Sequence, residues 1–242
     1  MMGWRARLGF LVPPGNPTVE GEMAELAPAG VSVHFTRMSA SGPAGTHDGQ
    51  EERNRAQIAS LDEATRLLAM TKPRVIALAH TATSYTLGRE AEADLVRRLE
   101  DATRTRFVTA FGCVLEALHH LGVRRVAYAT PYGADLTERG RAHLVLHGFD
   151  VVGVARLDGV RNIYEETAER AYEVGKEADR SEAEAVFLSG TGMPTLEMLQ
   201  VLEDDLGKPV ISASSAMMWN ALRIAGVSNP LAGYGRLLAG AG

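Results

Sequence analysis

The stretch Arg74-Val-Ile-Ala-Leu-Ala-His80-Thr-Ala82-Thr83-Ser84-Tyr85-Thr-Leu-Gly88 decides the fold. Behind Pro73 stands a run of five apolar residues, then hydroxyl side chains, a glycine and a charged amphipathic segment. That order describes a buried parallel strand feeding a helix. The carboxyl end of such a strand is where an open α/β sheet binds ligands, so the hydroxyl turn is a candidate site. A weaker copy follows at Glu184-Ala-Val-Phe-Leu-Ser189-Gly190-Thr191-Gly192-Met-Pro-Thr-Leu-Glu197. The chain carries the same device twice.

Upstream, Leu8-Gly-Phe-Leu-Val12 reads as a short buried strand stopped by Pro13-Pro14-Gly15-Asn16-Pro17, and Thr18-Val-Glu-Gly-Glu opens a helix with acidic residues in its first turn. Val31–Phe35 alternates as a second strand, and the loop Ser39-Ala-Ser-Gly-Pro-Ala-Gly-Thr-His47-Asp-Gly is either a surface crossover or a mobile lid. The apolar spacing of Ile58, Leu61, Ala64, Leu67 and Leu68 predicts one helix from about Glu51 to Met70. Downstream come a charged helix (90–103), a strand (106–109) and a helix ending Ala117-Leu-His-His-Leu-Gly122-Val123. The order then repeats: strand 125–129, helix 135–147, strand 151–155, helix 163–178, strand 185–188, a helix, strand 209–212 and a last helix. Its end, Ala221-Leu-Arg-Ile-Ala-Gly226-Val227, echoes the earlier one.

Strand and helix alternation predicts an α/β fold of two pseudo-symmetric, flavodoxin-like lobes with parallel sheets and a ligand cleft between them. Residues 1–115 plus 214–242 would form the first lobe and 116–213 the second. The cleft would touch the turns after Val12, Ala79 and Leu188 and the turn Thr130-Pro-Tyr132.

At 242 residues with 45% hydrophobic content, the chain can bury a sizeable core. A net charge of -5 without a basic aromatic stripe argues against nucleic acid. No leader and no membrane-length apolar run is read, so the expectation is a cytoplasmic protein without a membrane partner. A single cysteine, Cys113, allows no internal disulfide, and its helical neighbours mark it as a small core residue. The seven histidines are scattered and there is no phosphate-loop lysine or hydrolase elbow, so neither metal nor cofactor is expected. Gly190-Thr-Gly192 begins like a dinucleotide fingerprint, but Thr195 holds the third glycine position.

What remains are neutral donors for an anion: Thr83 and Ser84 beside a helix start, with Asn16, Tyr132 and Asn162 at the mouths of other strands. Each alone could be a cap or a turn residue. Together, at pseudo-equivalent turns, they favour a site.

Over nearly its whole length the chain resembles the aspartate/glutamate racemase superfamily, in its maleate cis-trans isomerase and arylmalonate decarboxylase branch. The resemblance is carried by Gly9-Phe-Leu-Val-Pro-Pro-Gly-Asn16-Pro-Thr-Val-Glu20, Ala82-Thr83-Ser84, Gly122-Val-Arg-Arg-Val-Ala-Tyr-Ala-Thr-Pro-Tyr132, Asn162 and Gly207-Lys-Pro-Val-Ile-Ser-Ala-Ser-Ser-Ala-Met-Met-Trp219. It implies two lobes around a small carboxylate or dicarboxylate, an enediolate-type anion held by hydroxyls and amides, one or two cysteines at the ends of two equivalent strands, and an oligomer. On this resemblance Thr83, Ser84 and Tyr132 match the anion donors, and Asn16 and Asn162 the substrate-binding asparagines. Pro14, Ala82, Gly190, Thr191 and Gly192, at the strand-end turns, complete the expected binding set.

The departure lies in the thiols. Matched to the resemblance, the first cysteine position is Ala82 and the second Gly190, and neither carries sulfur. Thiol-dependent racemisation or isomerisation then lacks its nucleophile and proton carrier. His80, Tyr85 and Tyr132 are the replacement candidates, His80 for its intrinsic pKa. The expected activity is that of an isomerase or decarboxylase-type lyase working without those cysteines, and the alternatives are a non-catalytic carboxylate-binding paralogue or a cysteine-substituted isomerase variant.

Overall fold

A computed structural model describes residues 2–240. Each strand that carries the site is short and buried, and each leads through a turn into a helix. The first half runs β1 (Ala6–Val12), α1 (Thr18–Leu26), β2 (Val31–Arg37), α2 (Gln50–Ala59), α3 (Leu61–Ala69), β3 (Val75–Leu78), α4 (Thr81–Leu87), α5 (Arg89–Thr103), β4 (Arg106–Thr109) and α6 (Ala110–His120). The second half runs β5 (Arg125–Thr130), α7 (Ala134–Leu146), β6 (Asp150–Arg156), a 3-10 turn (Ile163–Glu165), α8 (Ala168–Ala178), β7 (Ala185–Leu188), α9 (Leu196–Leu206), β8 (Val210–Ser212) and α10 (Ala213–Ile224).

Two four-stranded parallel sheets result, ordered β2-β1-β3-β4 and β6-β5-β7-β8. The orders are the same, as the repeated sequence device implied. Register makes the correspondence residue by residue: Leu11 pairs with Leu78 in the first sheet and Ala129 with Leu188 in the second. Side chains alternate across the first sheet, so Val75 and Ala77 join a core shared by both halves while Ile76 and Leu78 pack with Leu61, Leu68, Leu95 and Phe107 under α3 and α5. The echoing helix ends belong to α6 and α10, which pack on each other. Their caps match too: Thr109 accepts from the N–H of Gly112, and Ser212 from that of Ser215 within a capping box.

Three expectations change. The helix read over 51–70 is broken at Ser60, whose hydroxyl donates to the Gln57 carbonyl at 2.8 Å and accepts from the Ser39 N–H at 3.0 Å. A serine side chain that competes for backbone groups interrupts a helix this way. Leu67, expected in the core, is exposed. The helix read from Ile163 begins as a separate 3-10 turn, and Thr167 caps the true start of α8. Among the described residues, no helix is long and apolar enough to cross a membrane.

Candidate active site

The carboxyl ends of β1 and β3 face those of β5 and β7, and four turns close on one another. After β1, the Asn16 side-chain oxygen accepts from the N–H groups of Thr18 (2.9 Å) and Val19 (3.1 Å), capping α1. That cap aims its amide nitrogen across the gap, where it donates to the Thr191 carbonyl at 3.0 Å. Arg37 holds the same turn by donating to the carbonyls of Pro13, Pro14 and Asn16 at 3.0–3.2 Å.

After β3, His80 is the last extended residue before α4 and lines the cleft. Its Nδ1 lies 2.9 Å from Thr83 Oγ1, and among the described residues its Nε2 has no protein partner. Burial lowers its pKa to about 4, so the imidazole is neutral near pH 7. After β5, the Tyr132 hydroxyl meets Thr81 Oγ1 at 2.8 Å, and burial raises its pKa, which keeps the phenol protonated and able to donate. After β7, Gly190 turns with a φ of +92°, and the Thr191 hydroxyl donates to the Ala79 carbonyl at 2.8 Å.

These turns enclose a cavity of about 30 Å³, set within about 390 Å³ of atom-free space that includes open solvent. The enclosed part is smaller than the clefts that hold small metabolites, so a ligand enters only as the walls part. The roof is the 39–49 loop, pinned to the other half by the Ile163 N–H donating to the Gly45 carbonyl (2.8 Å) and by His47 Nε2 against the Pro131 carbonyl (2.9 Å). One wall is polar and helical: Gln50, Arg53, Asn54 and Gln57 of α2. Arg53 is the single permanently charged side chain on the lining, which includes no Asp or Glu. Tyr164 stands near it, its phenol pushed up to about 12 by burial against the opposing pull of Arg53 and Arg37. Among the described residues, no group of three His, Cys, Asp or Glu side chains could hold a metal ion.

Of the residues expected from sequence, Tyr132, His80, Asn16, Thr191 and Gly192 line this space. Others do not. Ser84 faces the interior and donates to Glu92 Oε1 at 2.6 Å, in a buried cluster that also takes Thr109 and His143. Tyr85 lies behind the cleft, its hydroxyl 2.9 Å from Ser189 Oγ. Thr83 is buried and touches the site through His80 alone. Ala82 is a core residue, Pro14 supports the first turn, and Asn162 caps the 3-10 turn by accepting from the Tyr164 N–H. Gly190 sits at the edge, where a Cβ would come 3.5 Å from the Tyr132 hydroxyl.

The Ser84 and Ala82 assignments fail for one reason. Helix α4 begins at Thr81, directly past the strand, so Thr83 and Ser84 already lie within its first turn and follow helical directions. The strand-end hydroxyl that reaches Tyr132 is Thr81, which sequence reading passed over. Register shows the same shift: His80 is the second residue past Leu78, as Gly190 is the second past Leu188. The equivalent of Gly190 is therefore His80 and not Ala82. Cys113 is on α6, fully buried and outside the cleft lining, with its thiol pushed up to about 12 by burial.

Arg53, Asn54, Gln57, Gln50 and Tyr164 were also missed. The four α2 residues carried a signal, polar side chains at i, i+3, i+4 and i+7, a pattern that ordinarily marks a solvated helix face.

The sequence profile described as arylmalonate decarboxylase matches residues 8–238. The chain is 31% identical over 240 residues to the arylmalonate decarboxylase of Bordetella bronchiseptica, covering 95% of each. It is 30% identical over 253 residues to the maleate isomerase of Nocardia farcinica, covering 98% of this chain and 96% of that one. A Nocardia farcinica maleate cis-trans isomerase variant, solved with a covalently bound succinylcysteine intermediate, superposes with a TM-score of 0.88 at 27% identity, covering 97% and 98% of the two chains. A crystal structure of arylmalonate decarboxylase superposes with a TM-score of 0.80 at 27% identity, covering 96% and 98%. Matched in sequence and in both lobes, the chain belongs to the arylmalonate decarboxylase family, in the branch that also holds the maleate isomerases.

Proposed function

We propose that this protein is an isomerase or decarboxylase-type lyase that acts on a small carboxylate or dicarboxylate through an enediolate-type intermediate, with no catalytic thiol. The observation that carries this reading is His80: a neutral imidazole at the strand end that mirrors Gly190, with Nε2 unpartnered among the described residues and the ring oriented through Thr83. Relatives named as arylmalonate decarboxylase and maleate isomerase supply the reaction class.

The chemistry balances with the groups present. In proton transfer, Nε2 takes the hydrogen from the carbon beside the carboxylate, and the C–H electron pair moves into that carboxylate as an enediolate. Tyr132 and Thr81 hydroxyls meet the charge that develops on oxygen, and each such preorganised donor contributes about a hundredfold or more in rate. The imidazolium exchanges its proton with water and then protonates carbon, so solvent hydrogen enters, and delivery to the opposite face of the planar intermediate inverts the centre. In decarboxylation the C–C electron pair stays on carbon as carbon dioxide leaves, and a protonated His80 supplies the hydrogen. An anion bound beside His80 favours its charged form and raises its pKa from about 4 toward the working range.

The test reads carbanion formation without presuming the overall reaction. Incubation in deuterated water with maleate, malonate, 2-substituted malonates and phenylmalonate should place solvent deuterium on the carbon next to a carboxylate of at least one of them. Tyr132→Phe and His80→Gln should each slow that incorporation by about a hundredfold. Binding of these acids without incorporation or decarboxylation would instead identify a non-catalytic carboxylate receptor.

A further inference from the structure

We propose that the inward face of α2 is the specificity determinant of the cleft: Arg53 takes a second carboxylate at the far end of the substrate, and Gln57 accepts a hydroxyl or amino hydrogen beside it. The preferred class is then a small hydroxy- or amino-dicarboxylate. The inference rests on the reading that the cleft receives a carboxylate.

A helix that turns Arg, Asn and Gln inward must find partners for them, because buried polar groups without hydrogen bonds are costly. Arg53, Asn54 and Gln57 are 9%, 2% and 5% exposed. Asn54 has one partner, donating to Thr86 Oγ1 at 3.2 Å. Arg53 donates to the Asp48 carbonyl at 2.5 Å and to the Thr46 carbonyl, and among the described residues no carboxylate lies within ion-pair distance of it. A guanidinium has five N–H donors, so three remain. Among the described residues, the buried Gln57 amide oxygen has no hydrogen-bond partner.

A cleft with one fixed cation and no acid on its walls is an anion receptor by charge alone. Its polar groups also come from two different elements. His80, Tyr132 and Thr191 gather at the strand ends, while Arg53 and Gln57 form the helical wall. A ligand with one carboxylate satisfies the first group and leaves the second bare. A dicarboxylate supplies the missing counter-charge, and a hydroxyl or ammonium on it supplies the donor that Gln57 lacks. An aryl substituent supplies neither.

Calorimetric titration of the intact protein with malate, succinate, butyrate and phenylmalonate tests this. Malate should bind most tightly, succinate less, and butyrate and phenylmalonate at least tenfold more weakly than succinate. Arg53→Met should bring succinate to the level of butyrate while leaving butyrate within about twofold, and Gln57→Leu should abolish the preference for malate over succinate. If Arg53 only latches the roof, both acids weaken equally and the succinate-to-butyrate ratio persists, which overturns the proposal. Succinate and butyrate binding within twofold in the unmodified protein also overturns it, with no variant needed, while leaving the carboxylate cleft intact. Binding of none of the four overturns both.

Discussion

His80 combines two demands that conflict in acid. Its imidazole is held neutral in the folded chain, with a pKa of about 4 set by burial, whereas an unfolded histidine titrates near 6.5. Between those values the unfolded state binds the extra proton. The stability that depends on neutral His80 is therefore fully present above pH 6.5 and is lost progressively as the pH falls toward 4. The full span corresponds to a loss on the order of 3 kcal/mol. Urea unfolding at intervals from pH 7.5 to 4 should show this slope, and His80→Gln, which has nothing to protonate, should flatten it. An equal slope in the variant would assign the acid sensitivity to other groups. Glu92 separates from this effect in pH. Burial raises its pKa, but hydrogen bonds from His143, Ser84 and Thr109 outweigh burial and lower it, so its contribution is lost only below the ordinary carboxylate range.

At the scale of elements, the strands were legible in sequence and the directions of side chains just beyond them were not. Val75–Leu78 and Ala185–Leu188 fall where their apolar runs put them, because a strand buried on both faces leaves an unbroken hydrophobic signature. The hydroxyl run 81–84 carries no such mark. One residue's difference in where α4 starts decides which hydroxyl meets Tyr132 and which meets Glu92. The α2 wall was obscured for the opposite reason: its polarity is that of a solvated face, and tertiary packing against α4 and under the roof loop buries it.

The turn after β7 yields a prediction of its own. A cysteine at Gly190 must adopt a φ of +92°, with its Cβ 3.1 Å from Pro131 Cγ. A side chain held in that region costs about 1–3 kcal/mol. Gly190→Cys should lower the free energy of unfolding measured in urea by that amount, and pairing it with Ala82→Cys should not install a thiol pair, because Ala82 faces the core. Unchanged stability would show that the turn relaxes to accept the side chain.

At the scale of the whole molecule, the two lobes share an apolar core and also meet through polar groups at their strand ends. Asn16 with Thr191, Thr18 with Gly192, Thr81 with Tyr132 and Tyr85 with Ser189 all cross between them. Each bond joins a residue of the first sheet's turns to one of the second's, so the cleft depends on both lobes keeping their relative position. The roof is the exception, a loop rich in glycine and serine held by few contacts, and such segments open at low cost. Its closure has a steric requirement at Gly45. There φ is +78°, and a Cβ would come 1.8 Å from Asn162 Oδ1, the atom that caps the 3-10 turn. Gly45→Ala should therefore hold the roof ajar while the strand ends stay assembled. On the proposed mechanism, water then reaches the carbanion, and an enediolate exposed to solvent is protonated by solvent rather than by His80. The expected outcome is that deuterium appears in recovered substrate at a higher ratio to product than in the unmodified enzyme. Amides of 39–49 should also lose the hydrogen-exchange protection that ligand confers on them. A variant with unprotected amides and an unchanged ratio would mean that the roof has no part in guarding the intermediate, and that the crossing bonds beneath it suffice to exclude water.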